Sequence, residues 1–379
     1  MSFHRWGIPP WTIDFHPIRG PIPAAVDFAV VGGGFTGLSA AAWLRRMEPD
    51  KTVALFESSS IGTGASGRTG GLVLSETAAG DLPGLGDILS GFAACLRDLN
   101  LSCDLTLPGV WEVGRSGAMP YSPISFQDSG ELRVVKQVPG GTIDPGKLVS
   151  GLGRSAESSG VLIFESTPVE HIVFEEPVQL KVAGGQVRAK AVLLATNAMS
   201  LDLSDLACRA QPKFTLAVAT SPLGDAQIED LGLGSGRSFY PIDFPYLWGR
   251  RLGRGGLIFG SGLVHLRDSR EFERLDIAAG QAADLITSLE TRVRGLHPAL
   301  KEVEFTHRWG GPILVVKGWR PVFSRHPRSP RVIVLGGYCG HGVAQSVYLG
   351  CWAAEALVGR KELPDWSPQK NDEPLPWPY

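Results

Sequence analysis

The stretch from Asp27 to Glu57 constrains the fold of this 379-residue chain more than any other. It opens with Phe28–Val31, a short apolar run that predicts a buried parallel strand. Glycines follow at the spacing G-x-G-x-x-G. The first permits a tight turn, the second lets a phosphate approach the backbone, and the third lets a helix pack closely on the strand. The stretch therefore predicts a βαβ unit that binds the pyrophosphate of a dinucleotide.

The rest of this stretch supplies the other parts that such a unit requires. Leu38–Met47 is rich in Ala and Leu and predicts the helix, and Thr52–Phe56 predicts the second strand. Glu57 follows that strand 20 residues beyond Gly37, where an acidic side chain accepts hydrogen bonds from an adenosine ribose. A glycine-rich turn without a ligand is the alternative interpretation, which this ordered succession disfavours. The predicted cofactor contacts are Gly32, Gly34, Phe35, Thr36, Gly37, Glu57 and Ser58.

A second glycine-rich loop, SSSIGTGASGRTGGLV, covers residues 58–73 directly after this unit. Its small side chains leave backbone N–H groups free to close on a ligand, and the Ser66 hydroxyl could reach a phosphate oxygen. A flexible surface loop is the alternative, which its position just after the βαβ unit disfavours. The predicted cofactor contacts here are Gly64, Ala65, Ser66, Gly67, Arg68, Thr69, Gly70 and Gly71.

Composition narrows the class of protein. The chain is 43% apolar and 20% charged, with a formal net charge of −2, so nothing favours nucleic acid or an anionic membrane as a partner. Its five cysteines include no C-x-x-C pair, which predicts neither a disulfide framework nor a metal site and suits a reducing cytoplasm. No signal-peptide core and no run of membrane-spanning length is present in the sequence, so we expect a cytoplasmic protein.

Four short motifs together resemble one family. GGGFTGL and GTGASGRTGG are similar to motifs of the FAD-dependent D-amino-acid oxidase superfamily, above all its branch of γ-glutamylputrescine oxidoreductases and glycine-oxidase-like enzymes. Thr69 stands where that branch typically has Asn. AVLLATN at 191–197 and GGYCGHGV at 336–343 resemble two further family motifs, the second with Cys339 in place of Ser. Residues 210–330 match the family only weakly.

The resemblance implies a fold and a domain plan. We expect an α/β protein with a Rossmann-like FAD-binding domain of glutathione-reductase type and a second, α+β domain that holds a mixed sheet. The FAD-binding domain would be discontinuous, taking residues 25–80, 140–210 and 330–362. The substrate domain would take 81–139 and 211–329, between an N-terminal arm at 1–24 and a C-terminal tail at 363–379.

The resemblance also implies contacts between later segments and a non-covalent FAD. The helix that starts near His341 would direct backbone N–H donors at the flavin edge where negative charge develops on reduction. Covalent attachment through Cys339 is disfavoured, because related proteins that attach the flavin through Cys do so at a different motif. The implied contacts are Val169, Thr196, Asn197, Gly337, Gly340, His341, Gly342 and Val343.

Aromatic and cationic residues are the candidates for the substrate side. Arginine would pair a substrate carboxylate and aromatic rings would enclose an amine, which favours an amino acid over a free diamine. For Trp309 ordinary packing remains an alternative, and for Arg250 a solvated turn does. His341 could face the substrate or only cap its helix. The candidates are Tyr246, Arg250, Trp309, Arg320, Tyr338 and His341.

The predicted function is flavin-dependent oxidation of a C–N bond in an amine or amino acid. Hydride transfer to FAD would leave an imine that hydrolyses, with oxygen or another acceptor reoxidising the flavin. The predicted partners are therefore a small-molecule substrate and an electron acceptor, with the oligomeric state left open. Two alternatives remain at this stage: an NAD-dependent dehydrogenase, and a non-catalytic flavoprotein or subunit of a larger dehydrogenase.

Overall fold

The computed structural model describes residues 3–117, 119–207 and 209–366. The strands are β1 (Ala25–Val31), β2 (Val53–Phe56), β3 (Leu72–Leu74), β4 (Val110–Gly114), β5 (Ser125–Gln127), β6 (Glu131–Val138), β7 (Gly140–Thr142), β8 (Leu162–Phe164), β9 (Val169–Val173), β10 (Val178–Val182), β11 (Gly185–Leu194), β12 (Ala210–Thr220), β13 (Ser238–Pro241), β14 (Trp248–Arg251), β15 (Leu257–His265), β16 (Phe305–Val316), β17 (Val322–His326) and β18 (Ser329–Gly336). The α-helices are α1 (Phe35–Met47), α2 (Ile88–Asp98), α3 (Pro145–Ser158), α4 (Leu201–Ser204), α5 (Asp225–Asp230), α6 (Gly280–Leu296) and α7 (Gly342–Leu357). Short 3-10 helices cover Phe3–Trp6, Ser269–Arg274, Pro298–Leu300 and Lys317–Trp319.

The first large sheet has the parallel centre that the opening βαβ stretch predicts, and its antiparallel pairs are β17–β18, β10–β11 and β9–β10. Its strands lie in the order β17-β18-β11-β1-β2-β8, and β1 runs parallel to both β11 and β2. Val30 at its centre is fully buried, and α1 packs against α3 and α7. Such a sheet needs cover on both faces, which explains the continuous apolar runs of its strands. The carboxyl ends of β1, β2 and β11 consequently meet at one edge.

The second large sheet is almost entirely antiparallel. Its order is β16-β12-β15-β14-β13-β4-β6-β5, and only the β13–β4 pair is parallel. Helix α6 packs against β12 and β15. The mixed α/β fold is thus confirmed, whereas the glutathione-reductase type and the domain boundaries stay predictions. Because β4–β6 and β12–β16 come from two separate stretches of the chain, their contacts could not be read from local sequence.

The N-terminal segment lies against the second sheet, the second glycine-rich loop and α3. Trp6, Trp11 and Phe15 are buried, and the Trp11 indole donates to the carbonyl of Gly67 at 2.7 Å. Trp11 also packs edge-on against Trp309, with the ring centroids 5.6 Å apart. The arm thus bridges the second glycine-rich loop and β16. Of the predicted tail, residues 367–379 lie outside the described residues.

Candidate active site

The turn between β1 and α1 has a backbone that only glycine fits at two positions. Gly32 adopts φ +109°, and a Cβ there would lie 2.6 Å from the carbonyl oxygen of Ala195. A Cβ on Gly37 would lie 1.9 Å from the carbonyl oxygen of Gly32. Gly34 is the N-cap of α1 and lines the cavity described below. The first free N–H groups of α1 therefore point to a space where an anion would be stabilised.

The second glycine-rich loop folds back against this turn. Gly62 N–H donates to the carbonyl of Gly33 at 2.9 Å, and the Ser66 hydroxyl accepts from Phe35 N–H at 2.9 Å. Two glycines of this loop differ in surroundings. A Cβ on Gly64 would meet no heavy atom within 4 Å, whereas one on Gly67 would lie 2.4 Å from the Gly62 carbonyl oxygen. Gly64 thus faces the cavity, while Gly67 is required by the packing of the loop itself.

Glu57 lies at the carboxyl end of β2, beside the turn. One of its carboxylate oxygens accepts from Gly33 N–H at 2.7 Å and the other from Ser59 N–H at 2.9 Å. Burial raises the pKa of this carboxyl, although both hydrogen bonds act in the opposite direction. A carboxylate has about four lone-pair sites, so Glu57 retains acceptor capacity toward the cavity.

A third set of backbone donors comes from the start of α7. His341 is the N-cap of this helix, and Gly340 precedes it at φ +92°. The Tyr338 hydroxyl is bonded to Thr36 Oγ1 at 2.7 Å, and Asn197 Oδ1 accepts from Gly337 N–H at 2.9 Å. These contacts tie the start of α7 to the β1–α1 turn and to the end of β11.

The Cys339 thiol is held within the protein. Its sulfur accepts from Val316 N–H at 3.3 Å and donates to the Gly337 carbonyl at 3.4 Å. Burial raises the pKa of this thiol to about 12, so it remains protonated. A protonated thiol is a poor nucleophile, which agrees with the prediction of a non-covalent cofactor.

One cavity of about 490 Å³ joins these three backbone clusters to the second sheet. Its far wall is the face of the second sheet that includes Thr215 on β12, Leu263 on β15 and Ile313 on β16. Tyr246 is also part of this wall. Its hydroxyl donates to the Gly262 carbonyl at 2.7 Å and lies 3.1 Å from Thr215 Oγ1. The wall is largely apolar, with a few hydroxyl groups set into it.

The structure distributes the predicted cofactor contacts unevenly. Most line the cavity, but four lie behind its wall: Gly37, Gly67, Gly71 and Gly337. A Cβ on Gly71 would lie 2.5 Å from the Ile143 carbonyl oxygen, and one on Gly337 would lie 2.2 Å from a Val316 methyl. These glycines allow close packing under the wall rather than contact within the cavity. The predicted contacts that line the cavity are Gly32, Gly34, Phe35, Thr36, Glu57, Ser58, Gly64, Ala65, Ser66, Arg68, Thr69, Gly70, Val169, Thr196, Asn197, Gly340, His341, Gly342 and Val343.

The predicted substrate residues divide into two groups. Tyr246, Trp309, Tyr338 and His341 line the cavity. Trp309 also has the packing role considered as its alternative, because its indole donates to the Arg68 carbonyl at 3.0 Å and the residue is 1% exposed. Burial lowers the pKa of His341, so its imidazole stays neutral over a wider range of pH than a free histidine.

Arg250 and Arg320 are not among the residues that line the cavity. Arg250 is neither exposed nor at the wall: its guanidinium donates to the Gly70 carbonyl, and burial lowers its pKa to about 10. Its position on β14 directs the side chain under the second glycine-rich loop, where it supports the backbone. Arg320 is exposed, at the end of a short 3-10 helix whose Trp319 faces the cavity instead.

Among the cavity residues with ionisable side chains, the sequence reasoning missed Lys213 and Tyr240. Lys213 on β12 is 2% exposed and lines the cavity, and burial lowers the pKa of its ammonium. A lysine within the apolar run of β12 is the signal that could have revealed it. Tyr240 on β13 also lines the cavity, with glutamates behind it. No local pattern singles out that tyrosine, because its partners come from distant strands.

Comparison with known proteins now identifies the class. The family profile described as "DAO: FAD dependent oxidoreductase" matches residues 27–135 and 136–356. The chain belongs to this family of FAD-dependent oxidoreductases, as the motifs predicted. An NAD-dependent dehydrogenase is therefore set aside.

Individual relatives agree with this family. The chain is 27% identical to the probable oxidoreductase OrdL of Rhizobium meliloti, over 92% of this chain and 87% of the relative. It is 28% identical to the γ-glutamylputrescine oxidoreductase of Escherichia coli, over 89% of this chain and 84% of that enzyme. The crystal structure of glycine oxidase from Geobacillus kaustophilus superposes with a TM-score of 0.70 at 19% identity, covering 90% of this chain and 96% of that one. This last similarity concerns the fold alone.

Two further features are absent from the described residues. None of the helices there combines the length and apolar character needed to cross a membrane. Within the same residues, no group of three or more His, Cys, Asp or Glu side chains could hold a metal ion.

Proposed function

We propose that this chain oxidises a C–N bond of an amine or amino acid by using bound FAD. The observation that carries the proposal is that one cavity is lined both by the two glycine-rich segments and by the wall of the second sheet. A cofactor and a small substrate could therefore share one enclosed space, as hydride transfer requires. The names of the two curated relatives support oxidoreductase chemistry, and one of them names an amine substrate.

The residues present fit FAD. The glycine cradle and the open end of α1 suit a pyrophosphate, and Glu57 suits an adenosine ribose. The start of α7 suits the edge of the flavin ring where negative charge develops on reduction. Thr196 Oγ1 is also buried at this cavity with no hydrogen-bond partner among the described residues, which is the condition of a group that awaits a ligand.

The chain's own residues would then bind, orient and shield the substrate. FAD, when bound, supplies the acceptor for the hydride that leaves the carbon beside nitrogen. Leu263 and Ile313 exclude water, which would weaken every electrostatic contact in the site. Thr215 and Tyr246 offer hydroxyl groups for orientation on the same wall. The imine that results from the oxidation would hydrolyse after it leaves.

Lys213 is the cation best placed for a substrate carboxylate. Among the described residues that line the cavity, the lysines and arginines are Lys213 and Arg68. Arg68 belongs to the second glycine-rich loop, on the nucleotide side of the cavity. Lys213 lies on the opposite wall, on the face of β12 that also holds Thr215. The amino-acid preference predicted from arginines thus rests on this lysine.

Anaerobic reduction of the flavin tests the reaction class. The purified protein should be yellow, and its flavin should be bleached by a member of a panel of amines and amino acids but not by the matching 2-hydroxy acids. Formation of the carbonyl product with release of ammonia or amine would accompany bleaching. Reduction by the hydroxy acids alone would overturn C–N oxidation, and a colourless protein that does not take up FAD would overturn the cofactor.

Substitution of Lys213 tests the carboxylate contact. Lys213→Met keeps an apolar stem of similar length, and should weaken binding of an amino acid by about 1.5–3 kcal/mol, the value of a hydrogen bond to a charged group. The decarboxylated amine is the control and should be unaffected. Because the pKa of Lys213 is lowered, wild-type affinity for the amino acid should fall as pH rises through that value. Lys213→Arg should hold the affinity to higher pH, and equal losses for acid and amine would contradict the assignment.

A further inference from the structure

Two glutamate side chains meet at the hydroxyl of one tyrosine of the cavity wall. Tyr240 lines the cavity, and its hydroxyl lies 2.8 Å from Oε1 of Glu76 and 2.8 Å from Oε1 of Glu112. Glu112 on β4 is the register partner of Tyr240 on β13, while Glu76 follows β3. A phenol has a single hydrogen to donate. When both glutamates are ionised, this hydrogen can lie in only one of the two short contacts. Uptake of one proton by these three side chains would place a hydrogen in the other contact as well.

The charges around this trio, Tyr240, Glu76 and Glu112, leave it net negative. Lys136 on β6 pairs with Glu112 at 3.2 Å and is 59% exposed at its side chain, whereas Glu112 is buried. The His341 ring, at the start of α7, lies edge-on to the Tyr240 ring with the centroids 6.5 Å apart. Two carboxylates thus face one partly exposed ammonium and one imidazole. The arrangement extends from the cavity, through a buried carboxylate, to the protein surface.

We infer that this trio accepts the proton that the ammonium group of the substrate must lose before oxidation. The inference rests on the proposed C–N oxidation. An alkyl ammonium resembles the lysine side chain, with an ordinary pKa of about 10.4, so a free amine is mostly protonated at neutral pH. The nitrogen can form an imine only when its lone pair is free, so a cavity group that removes this proton would let the enzyme use the abundant protonated amine instead of the small neutral fraction.

Tyr240 acts as a relay rather than as a base on its own. Burial and the two adjacent glutamates raise the pKa of its phenol far above the ordinary range, so a tyrosinate does not form. The phenol oxygen instead takes the proton from the ammonium while its own hydrogen passes to Oε1 of Glu112, the carboxylate that leads to Lys136 and the surface. One N–H bond breaks and one carboxyl O–H bond forms, which leaves a neutral amine, a neutral phenol and a protonated carboxyl. Lys136 marks the exposed side from which water can remove that proton.

The test is the pH dependence of flavin reduction under anaerobic conditions, with the substrate found in the panel. In wild type the rate should remain high well below the pKa of the free amine. In Tyr240→Phe and in Glu112→Gln it should follow the fraction of neutral amine, with a loss of about 10²–10⁴-fold at pH 7, the usual range for acid–base catalysis. Both variants should converge on wild type at high pH.

Two controls separate catalysis from structure. Tyr121→Phe changes a tyrosine that is 84% exposed and should leave the profile unchanged. A fluorinated substrate, whose amine is neutral at pH 7, should be oxidised equally by wild type and Tyr240→Phe. Glu112→Gln keeps the shape of the side chain, so it serves if Tyr240→Phe folds poorly. Equal losses at every pH, or an unchanged profile, would overturn the relay. Failure of every amine with wild type would instead overturn the proposed reaction, and the relay with it.

Discussion

The two sides of the cavity are built in different ways. On the nucleotide side, the turn at 32–37 and the loop at 58–71 interact through backbone atoms and small side chains, as in the bond from Gly62 N–H to Gly33. On the opposite side, Lys213 projects from β12, Tyr240 from β13 and Tyr246 from the connection between β13 and β14. The nucleotide side interacts mainly through backbone N–H and C=O groups, which nearly every residue carries. The opposite side depends on ammonium and phenol groups, which only particular side chains supply.

This difference explains why one side could be recognised so readily. A backbone cradle needs glycine at fixed spacing, because a Cβ at Gly32 or Gly37 would collide with a neighbouring carbonyl. A wall of side chains needs only that strands deliver the right group to one face, which many sequences can do. We therefore expect substitutions on the nucleotide side to change cofactor retention, and those on the opposite wall to change substrate selectivity.

The largest effect should separate two glycines of one loop. Gly67→Val should destabilise the protein by about 1–3 kcal/mol or more through overpacking, and should leave mostly apoprotein, because the new Cβ meets the Gly62 carbonyl. Gly64→Val is its match: it should also lose flavin, since Gly64 lines the cavity, but the apoprotein should melt as wild-type apoprotein does. Flavin content and thermal unfolding measure both. A yellow and stable Gly67→Val protein would show that this loop is merely a connection.

Substitution of Glu57 should have the next largest effect. Glu57→Ala should weaken FAD binding by about 1.5–3 kcal/mol through the loss of a charge-assisted hydrogen bond. The pKa of this carboxyl is raised, so protonation begins at a higher pH than in an ordinary glutamate. Wild-type FAD affinity should therefore be full above that pKa and fall as pH decreases through it. The FAD affinity of Glu57→Gln should not change with pH over the same range. Titration of the apoprotein with FAD measures both affinities, and an equal pH dependence in the two proteins would contradict the assignment.

The arm connects the two sides, and Trp11 should report on that link. Trp11→Phe keeps an aromatic ring against Trp309 but removes the hydrogen bond to the Gly67 carbonyl. The expected cost is about 0.5–1.5 kcal/mol of stability, the net value of one hydrogen bond. Chemical denaturation of the holoprotein measures this change. If selectivity among substrates shifted while FAD affinity stayed constant, the arm would belong to the substrate side rather than to the loop.

The smallest effect is expected at Arg320. Its side chain is exposed and is not part of the described cavity wall, so Arg320→Ala should change stability by no more than about 0.5 kcal/mol and should leave the ratio of acid to amine turnover unchanged. Lys213→Met serves as the positive control in the same assay. A selective loss of activity toward the acid in Arg320→Ala would place the carboxylate contact outside the wall described here.

Prediction from sequence succeeded where a structural requirement is local. The parallel β1–α1–β2 unit, the glycine turn and the position of Glu57 after β2 all follow from about thirty consecutive residues, since strand, turn and helix each leave a periodic or compositional pattern. The family was recognised from four short motifs, each of them local, and is confirmed. The roles of the site residues toward FAD and substrate stay predictions.

The arginines show where such reasoning stops. Arg250 and Arg320 have the chemistry for a carboxylate, but whether a side chain faces a cavity depends on strand register and on what packs behind it. β14 directs Arg250 under the glycine-rich loop, and the backbone after β16 leaves Arg320 in solvent. Lys213 lies at the cavity wall, although its sequence context is less conspicuous than that of either arginine.

The sequence by itself determined the βαβ unit, the glycine-rich loop and the class of cofactor, because those features depend on spacings of a few residues and on the absence of a Cβ. Only the tertiary structure decided which cation reaches the cavity and that Tyr240 meets Glu76 and Glu112. These residues lie up to 164 positions apart, as Tyr240 and Glu76 do, and no local pattern couples them. Their meeting is set by the pairing of β13 with β4 and by the packing of the two sheets around one cavity.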